Sequence, residues 1–208
     1  MKHFELNLGL STWRIVLLIA MILFSSLPLR AQTSAAAAHI ESYYKELMPT
    51  IRQAGRLSVR ERDKRFTPAI TSAFDLPAMA RLAVGPSWTN FSPAQQVAVQ
   101  DGFAQFIVAD YASQISNYSG ESFVVDPQTS VASRGGGEIV KTKLLQPGGR
   151  TVNINYLVHG GRVIDVYLNG TVSDLATRRD EFASIISSGG ADALIKRLHD
   201  RTQSLLEK

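Results

Sequence analysis

From Ser34 to about Ser119 the apolar residues recur at helical spacing. Ile40, Tyr43, Tyr44, Leu47 and Ile51 mark one face of a helix that Pro49 should kink or stop. Ser58-Val59-Arg60-Glu61 has the form of a capping box, and Phe66, Ile70 and Phe74 continue behind it at spacing four. Asp75 can cap a short helix through Met79 to Val84, which Gly85-Pro86 ends. Ser92-Pro93-Ala94-Gln95 is the strongest start signal in the chain, combining a capping serine, a first-turn proline and a glutamine at the third helical position. The helix it opens carries Val99, Phe103, Phe106, Ile107, Tyr111 and Ile115.

From Glu121 the period changes to two. Ser122 to Asp126, Ile139 to Gln146, Thr151 to His159 and Arg162 to Asn169 read as four strands. Gln146-Pro147-Gly148-Gly149 and His159-Gly160-Gly161 read as hairpin turns. Helical spacing returns in Phe182, Ile185 and Ile186 and again in Leu194, Ile195 and Leu198, with Gly189-Gly190 separating two helices. Arg178-Arg179-Asp180-Glu181 should open the first of them, after Thr177. Helices, then a four-strand meander, then helices imply an α+β domain with the helices against one face of a curved antiparallel sheet.

The first 31 residues differ from the rest. A polar start with Lys2 and Arg14 precedes the apolar run Ile15 to Phe24, and Ser25, Ser26 and Pro28 lead to Arg30-Ala31-Gln32. That is the layout of a secretory signal peptide cut after Ala31, leaving residues 32–208 as a single domain. The run is about half the roughly 20 apolar residues a bilayer span needs, so an uncleaved inner-membrane anchor is the weaker reading. Loss of this segment takes away Lys2, Arg14, Arg30 and Glu5 and brings the chain near neutrality. Nucleic acid, which calls for a concentrated basic face, is not an expected partner.

With no cysteine, disulfides, thiol nucleophiles, iron–sulfur clusters and Cys-ligated zinc are excluded. His39, His159 and His199 stand far apart, and Gly135-Gly136-Gly137 runs into Glu138 rather than the lysine of a phosphate loop. No metal site, cofactor motif or catalytic constellation emerges. Asp165 is the most interesting acid, mid-strand with Val163 and Tyr167. It reads either as a general base in a cone-shaped pocket or, more simply, as a sheet residue paired with Arg162 or Lys143. The short helices also carry many large apolar side chains, which periodicity assigns equally well to ordinary core or to the lining of a cavity.

Phe74-Asp75-Leu76-Pro77-Ala78-Met79-Ala80-Arg81 with Gly85 and Trp88 begins an ordered set of segments. It continues through Ser92, Gln95, Phe103, Phe106 and Tyr111 to Val163-Ile164-Asp165-Val166-Tyr167-Leu168-Asn169-Gly170. Arg179-Asp180-Glu181-Phe182 and Gly189-Gly190-Ala191-Asp192-Ala193-Leu194 close it. Over nearly the whole mature chain this set resembles the MlaC or toluene-tolerance family of periplasmic lipid carriers, and Phe74 to Trp88 looks most like its hopanoid-associated branch, HpnM. The resemblance implies helices and a four-stranded sheet enclosing an apolar pocket. It also implies a phospholipid or hopanoid ligand, and exchange between an inner-membrane ABC-type transport complex and an outer-membrane lipoprotein. Phe74, Met79, Leu82, Trp88, Phe103, Phe106, Ile107, Tyr111, Ile154 and Tyr156 are then the expected lining, with Arg81, Lys141 and Arg150 as head-group contacts. The alternatives are a small cone-shaped enzyme using Asp165 as base and a periplasmic adaptor that binds only proteins.

Overall fold

The computed structural model describes residues 33–132 and 136–208, so the expected signal segment lies outside the described residues. Four helices come first: α1 (Ala35–Ile51), α2 (Val59–Ala73), α3 (Leu76–Val84) and α4 (Pro93–Gln114). Each starts on a side chain that satisfies an otherwise orphaned backbone N–H. Ser34 Oγ accepts from the Ala37 N–H at 3.0 Å, and Asp75 Oδ1 accepts from the Ala78 N–H at the same distance. Ser58 with Glu61 and Ser92 with Gln95 form complete capping boxes. Pro49 falls in the last turn of α1, where the helix closes at Ile51.

The strands β1 (Ser122–Val131), β2 (Glu138–Leu145), β3 (Thr151–His159), β4 (Arg162–Leu168) and β5 (Val172–Ser173) form one antiparallel sheet in sequence order. The sheet has five strands where the sequence pattern suggests four. Asn169 and Gly170, with φ of 51° and 80°, make the tight turn that sends Val172 back to pair with Leu168. Ser173 then ends β5 and caps the last helix, its Oγ accepting from the Ala176 N–H at 2.9 Å. This last helix, α5 (Asp174–Leu206), therefore begins one turn before the expected start at Arg178. It breaks at Gly189-Gly190, where Gly190 has φ +67° and ψ −156°, a region open essentially to glycine alone.

The helices cover one face of the sheet. α1 lies over β1 and β2, and α5 and α3 approach β4, while α4 packs among α2, α3 and α5. The layers close around Ile40, Phe66, Ile70, Phe74, Met79, Phe103, Ile107, Leu194 and Leu198, all fully buried. Burying each such side chain is worth about 1.5–3 kcal/mol. At the seam, Asp75 N–H donates to the Val163 carbonyl at 2.9 Å, and the Arg162 guanidinium donates to the carbonyls of Thr71 and Phe74. On the opposite face Lys141 and Lys143 are exposed.

Candidate functional site

A cavity of about 330 Å³ opens between the sheet and the helices. Tyr43, Tyr44, Leu47 and Ile51 come to it from α1, Phe66 and Ile70 from α2, and Tyr111 from α4. Phe123, Leu144, Ile154, Tyr156, Val166 and Leu168 line it from β1 to β4. The wall is strongly apolar because each element presents its hydrophobic face there. The alternation of β3 points Ile154 and Tyr156 inward, and the helical spacing of α1 brings Tyr43, Tyr44, Leu47 and Ile51 onto one side. Polar side chains gather at one end: Asp110, Gln114, Asn117, Glu121, Gln146, Asp174 and Arg178. Gln114, Asn117 and Leu168 are exposed, which places the mouth where α4 ends and β4 turns into β5.

Two polar assemblies shape the wall. In the first, Thr142 Oγ1 donates to the Ile154 carbonyl at 2.5 Å, so its proton is committed. The Tyr44 hydroxyl must then donate to Thr142 (2.9 Å) and accept from Tyr156 (2.8 Å). This chain ties α1 to β2 and β3, with the Tyr44 ring stacked on Phe123 at 4.0 Å between centroids. Burial pushes the Tyr44 phenol up to about 12 and that of Tyr156 well above its usual range.

The second assembly is ionic. Arg178 of α5 donates from Nη2 to Asp110 of α4 at 2.8 Å and from Nε to Asp174 at 2.9 Å. Its guanidinium lies 4.9 Å from the centre of the Phe106 ring. Burial disfavours the Arg178 charge, yet Asp174 and Asp110 outweigh it and hold its pKa above the ordinary arginine value. Two carboxylates already face the single guanidinium, so the cluster offers no net positive charge to a further anion. Nothing in the residue spacing pairs Asp110 with Arg178, 68 positions away; the only sequence trace was the i, i+4 spacing of Asp174 and Arg178.

Of the lining residues expected from sequence, Tyr111, Ile154 and Tyr156 border the cavity. Met79, Phe103 and Ile107, on α3 and α4, are instead fully buried in the packed core, as is Phe74 just beyond the end of α2. Phe74 still reaches the site indirectly, its ring 5.2 Å from that of Tyr43 and 6.0 Å from that of Tyr111. Phe106 is buried beneath Arg178 and Arg201. Leu82 and Trp88 pack on the edge of the core away from the cavity. Tyr43, Tyr44, Phe66, Ile70 and Phe123 take their places on the wall.

Among the expected head-group contacts, Arg150 is exposed and donates to Gln146 Oε1 at 2.6 Å, one residue removed from the polar end of the cavity. Arg81 is exposed on α3, and Lys141 lies on the opposite face of the sheet; neither borders the cavity. Asp165 pairs with neither Arg162 nor Lys143. A bulge between Leu157 and Val158 shifts the phase of β4, so that Val166, opposite Tyr156, takes the cavity position. The Asp165 carboxylate is buried and accepts from Ser173 Oγ (2.6 Å), Val166 N–H (2.8 Å) and Leu175 N–H (3.2 Å). It fastens the start of α5 to the sheet. A carboxylate so fully occupied is poorly placed to take a proton from a substrate.

No curated protein matches the chain. A solved structure from Ralstonia solanacearum, described as a phospholipid-binding protein in complex with a phospholipid, superimposes with a TM-score of 0.70 at 21 % sequence identity. The match covers 82 % of this chain and 98 % of that one and shows that the two share a fold. Residues 41–200, which contain every wall residue described above, match the family described as MlaC protein, and the chain belongs to that family.

Proposed function

We propose that this chain is a periplasmic lipid carrier, which takes an acyl lipid from one membrane, holds its hydrocarbon in the cavity and releases it at another. The observation that carries the reading is the cavity itself: about 330 Å³ of space with an apolar wall and a polar mouth, within the size range of small-molecule sites. The Ralstonia structure, alike in fold and crystallised with a phospholipid, supports it. So does the apolar leader, which fits a signal peptide ending at Ala31.

The energetics favour such a device. At about 0.8 kcal/mol per methylene, exposing a chain of roughly 16 carbons to water costs on the order of 12 kcal/mol, so lipid does not cross an aqueous gap unaided. A cavity about as apolar as a bilayer makes exchange nearly isoenergetic at both ends, whereas a tighter one would not unload. In the full reading the carrier serves an inner-membrane ABC-type complex and an outer-membrane lipoprotein, and the cargo is a phospholipid or, if the chain sits in the HpnM branch, a hopanoid. No step of this work needs a catalytic group.

Transfer of a fluorescent phospholipid between donor and acceptor vesicles tests the reading. Ile154→Asp places a carboxylate on the wall, and transfer should fall at least tenfold while the circular dichroism spectrum stays that of the parent. A folded Ile154→Asp variant that transfers lipid at the parental rate would rule the cavity out as the carrier site.

A further inference from the structure

Resting on the carrier reading, we propose that the cavity contains an internal subsite for an uncharged hydrogen-bond acceptor of the cargo, the ester carbonyl of an acyl lipid, formed by the hydroxyls of Tyr43 and Tyr111. Five tyrosine and threonine hydroxyls belong to the wall or lie directly behind it, and they fall into two groups. Those of Tyr44, Tyr156 and Thr142 are used up in the chain that ends on the Ile154 carbonyl. The Tyr111 hydroxyl is buried without any hydrogen-bond partner. Tyr43, buried on the same wall, makes no side-chain hydrogen bond among the described residues, and its ring and that of Tyr111 both pack on Phe74, at 5.2 and 6.0 Å between centroids. A buried hydroxyl left unpaired costs about 1–3 kcal/mol, so that of Tyr111 on the cavity wall calls for a ligand atom.

The chemistry of that atom is constrained from both sides. Tyrosine hydroxyls without a protein acceptor offer protons, and a carbonyl oxygen has two lone pairs to receive them and no proton of its own. A phosphate would also accept, but Asp110 and Asp174 lie beside Tyr111 and their charges exceed that of the single guanidinium between them. Net negative charge in a poorly solvated site repels an anion and leaves a neutral acceptor unaffected. The phosphate is therefore placed away from Asp110 and Asp174, toward Gln146 and Arg150, while the ester linkage lies beside Tyr111.

Matched diacyl and dialkyl phosphatidylcholines of equal chain length, which differ only in the ester carbonyls, give the test. Vesicles of each are offered to the parent protein, Tyr43→Phe, Tyr111→Phe and the double variant, and uptake is measured by native mass spectrometry. The parent should prefer the ester lipid by about threefold to tenfold, the factor one net hydrogen bond is worth. Each single variant should reduce the preference, and the double variant should abolish it. Thermal stability of the empty protein should not fall in the Phe variants, since no partner is lost. Equal uptake of both lipids by the parent, a preference that survives the double substitution, or a fall in apo Tm would each overturn the subsite. Uptake of neither lipid would overturn the carrier reading beneath it.

Discussion

Replacing Arg178 by methionine probes the ionic end of the cavity. The stem of the side chain would still cover Phe106, but Asp110 and Asp174 would lose their shared cation. The side chains of the three residues are 9 %, 20 % and 15 % exposed, so water can compensate only in part. Stranding charges in a mostly buried pair costs about 3–5 kcal/mol. Asp174 also sits in the first turn of α5, where the positive end of the helix offsets some of that cost, so the lower figure of about 3 kcal/mol is expected. With a urea m-value of about 2 kcal/mol/M, the unfolding midpoint should drop by about 1.5 M. Adding Asp110→Leu removes the acid that has no helix end to stabilise it and should return at least about 1 kcal/mol. A loss below about 1 kcal/mol for Arg178→Met, or a double variant less stable than the single, would show that the cluster is solvated and does not hold α4 to α5.

Three further outcomes follow from the same geometry. Burial raises the pKa of Asp165 against the pull of its hydrogen bonds from Ser173, Leu175 and Val166. The folded chain thus keeps that proton at pH values where the unfolded chain, titrating near 3.8, has released it. Its contribution to stability is greatest at low pH and fades as pH rises through the folded value; Asp165→Asn should remove this dependence from urea midpoints measured between about pH 3.5 and 6, and an unchanged slope would contradict the burial. Tyr44→Phe breaks the hydroxyl chain at its centre and should cost about 1–3 kcal/mol, a fall in Tm of about 2–10 °C by calorimetry. Gly190→Ala meets no neighbouring atom yet demands a backbone region closed to alanine, so about 1–3 kcal/mol should be lost; a neutral result would mean the break in α5 can straighten.

The helices were legible because their signals are local. Ser58 with Glu61 and Ser92 with Gln95 announce their helices within four residues, and the structure keeps both capping boxes. The fifth strand also had a local signal, Asn169-Gly170, but β5 is only two residues long and alternation cannot be read over two positions. Ser173 and Asp174 were then available as the start of α5, and the run Arg178 to Glu181 drew attention one turn too late. The cavity wall was harder. Periodicity tells which face of α4 is apolar but not what that face meets, and α4 packs mainly on other helices. Phe103 and Ile107 are therefore core, while Tyr111, one turn further on, reaches the opening. Asp165 illustrates the same limit: one extra residue in β4 at the bulge moves Val166 to the wall and turns the acid into a fastening for α5.

Native mass spectrometry of the protein purified from its own cells, followed by solvent extraction and identification of what it carries, tests the carrier role most directly. One lipid per chain, lost on solvent extraction and regained from vesicles, is the expected result; a phospholipid would mark a general carrier and a hopanoid the narrower branch. A protein that emerges empty and takes up no added lipid would contradict the carrier role and leave a protein-binding adaptor as the better description.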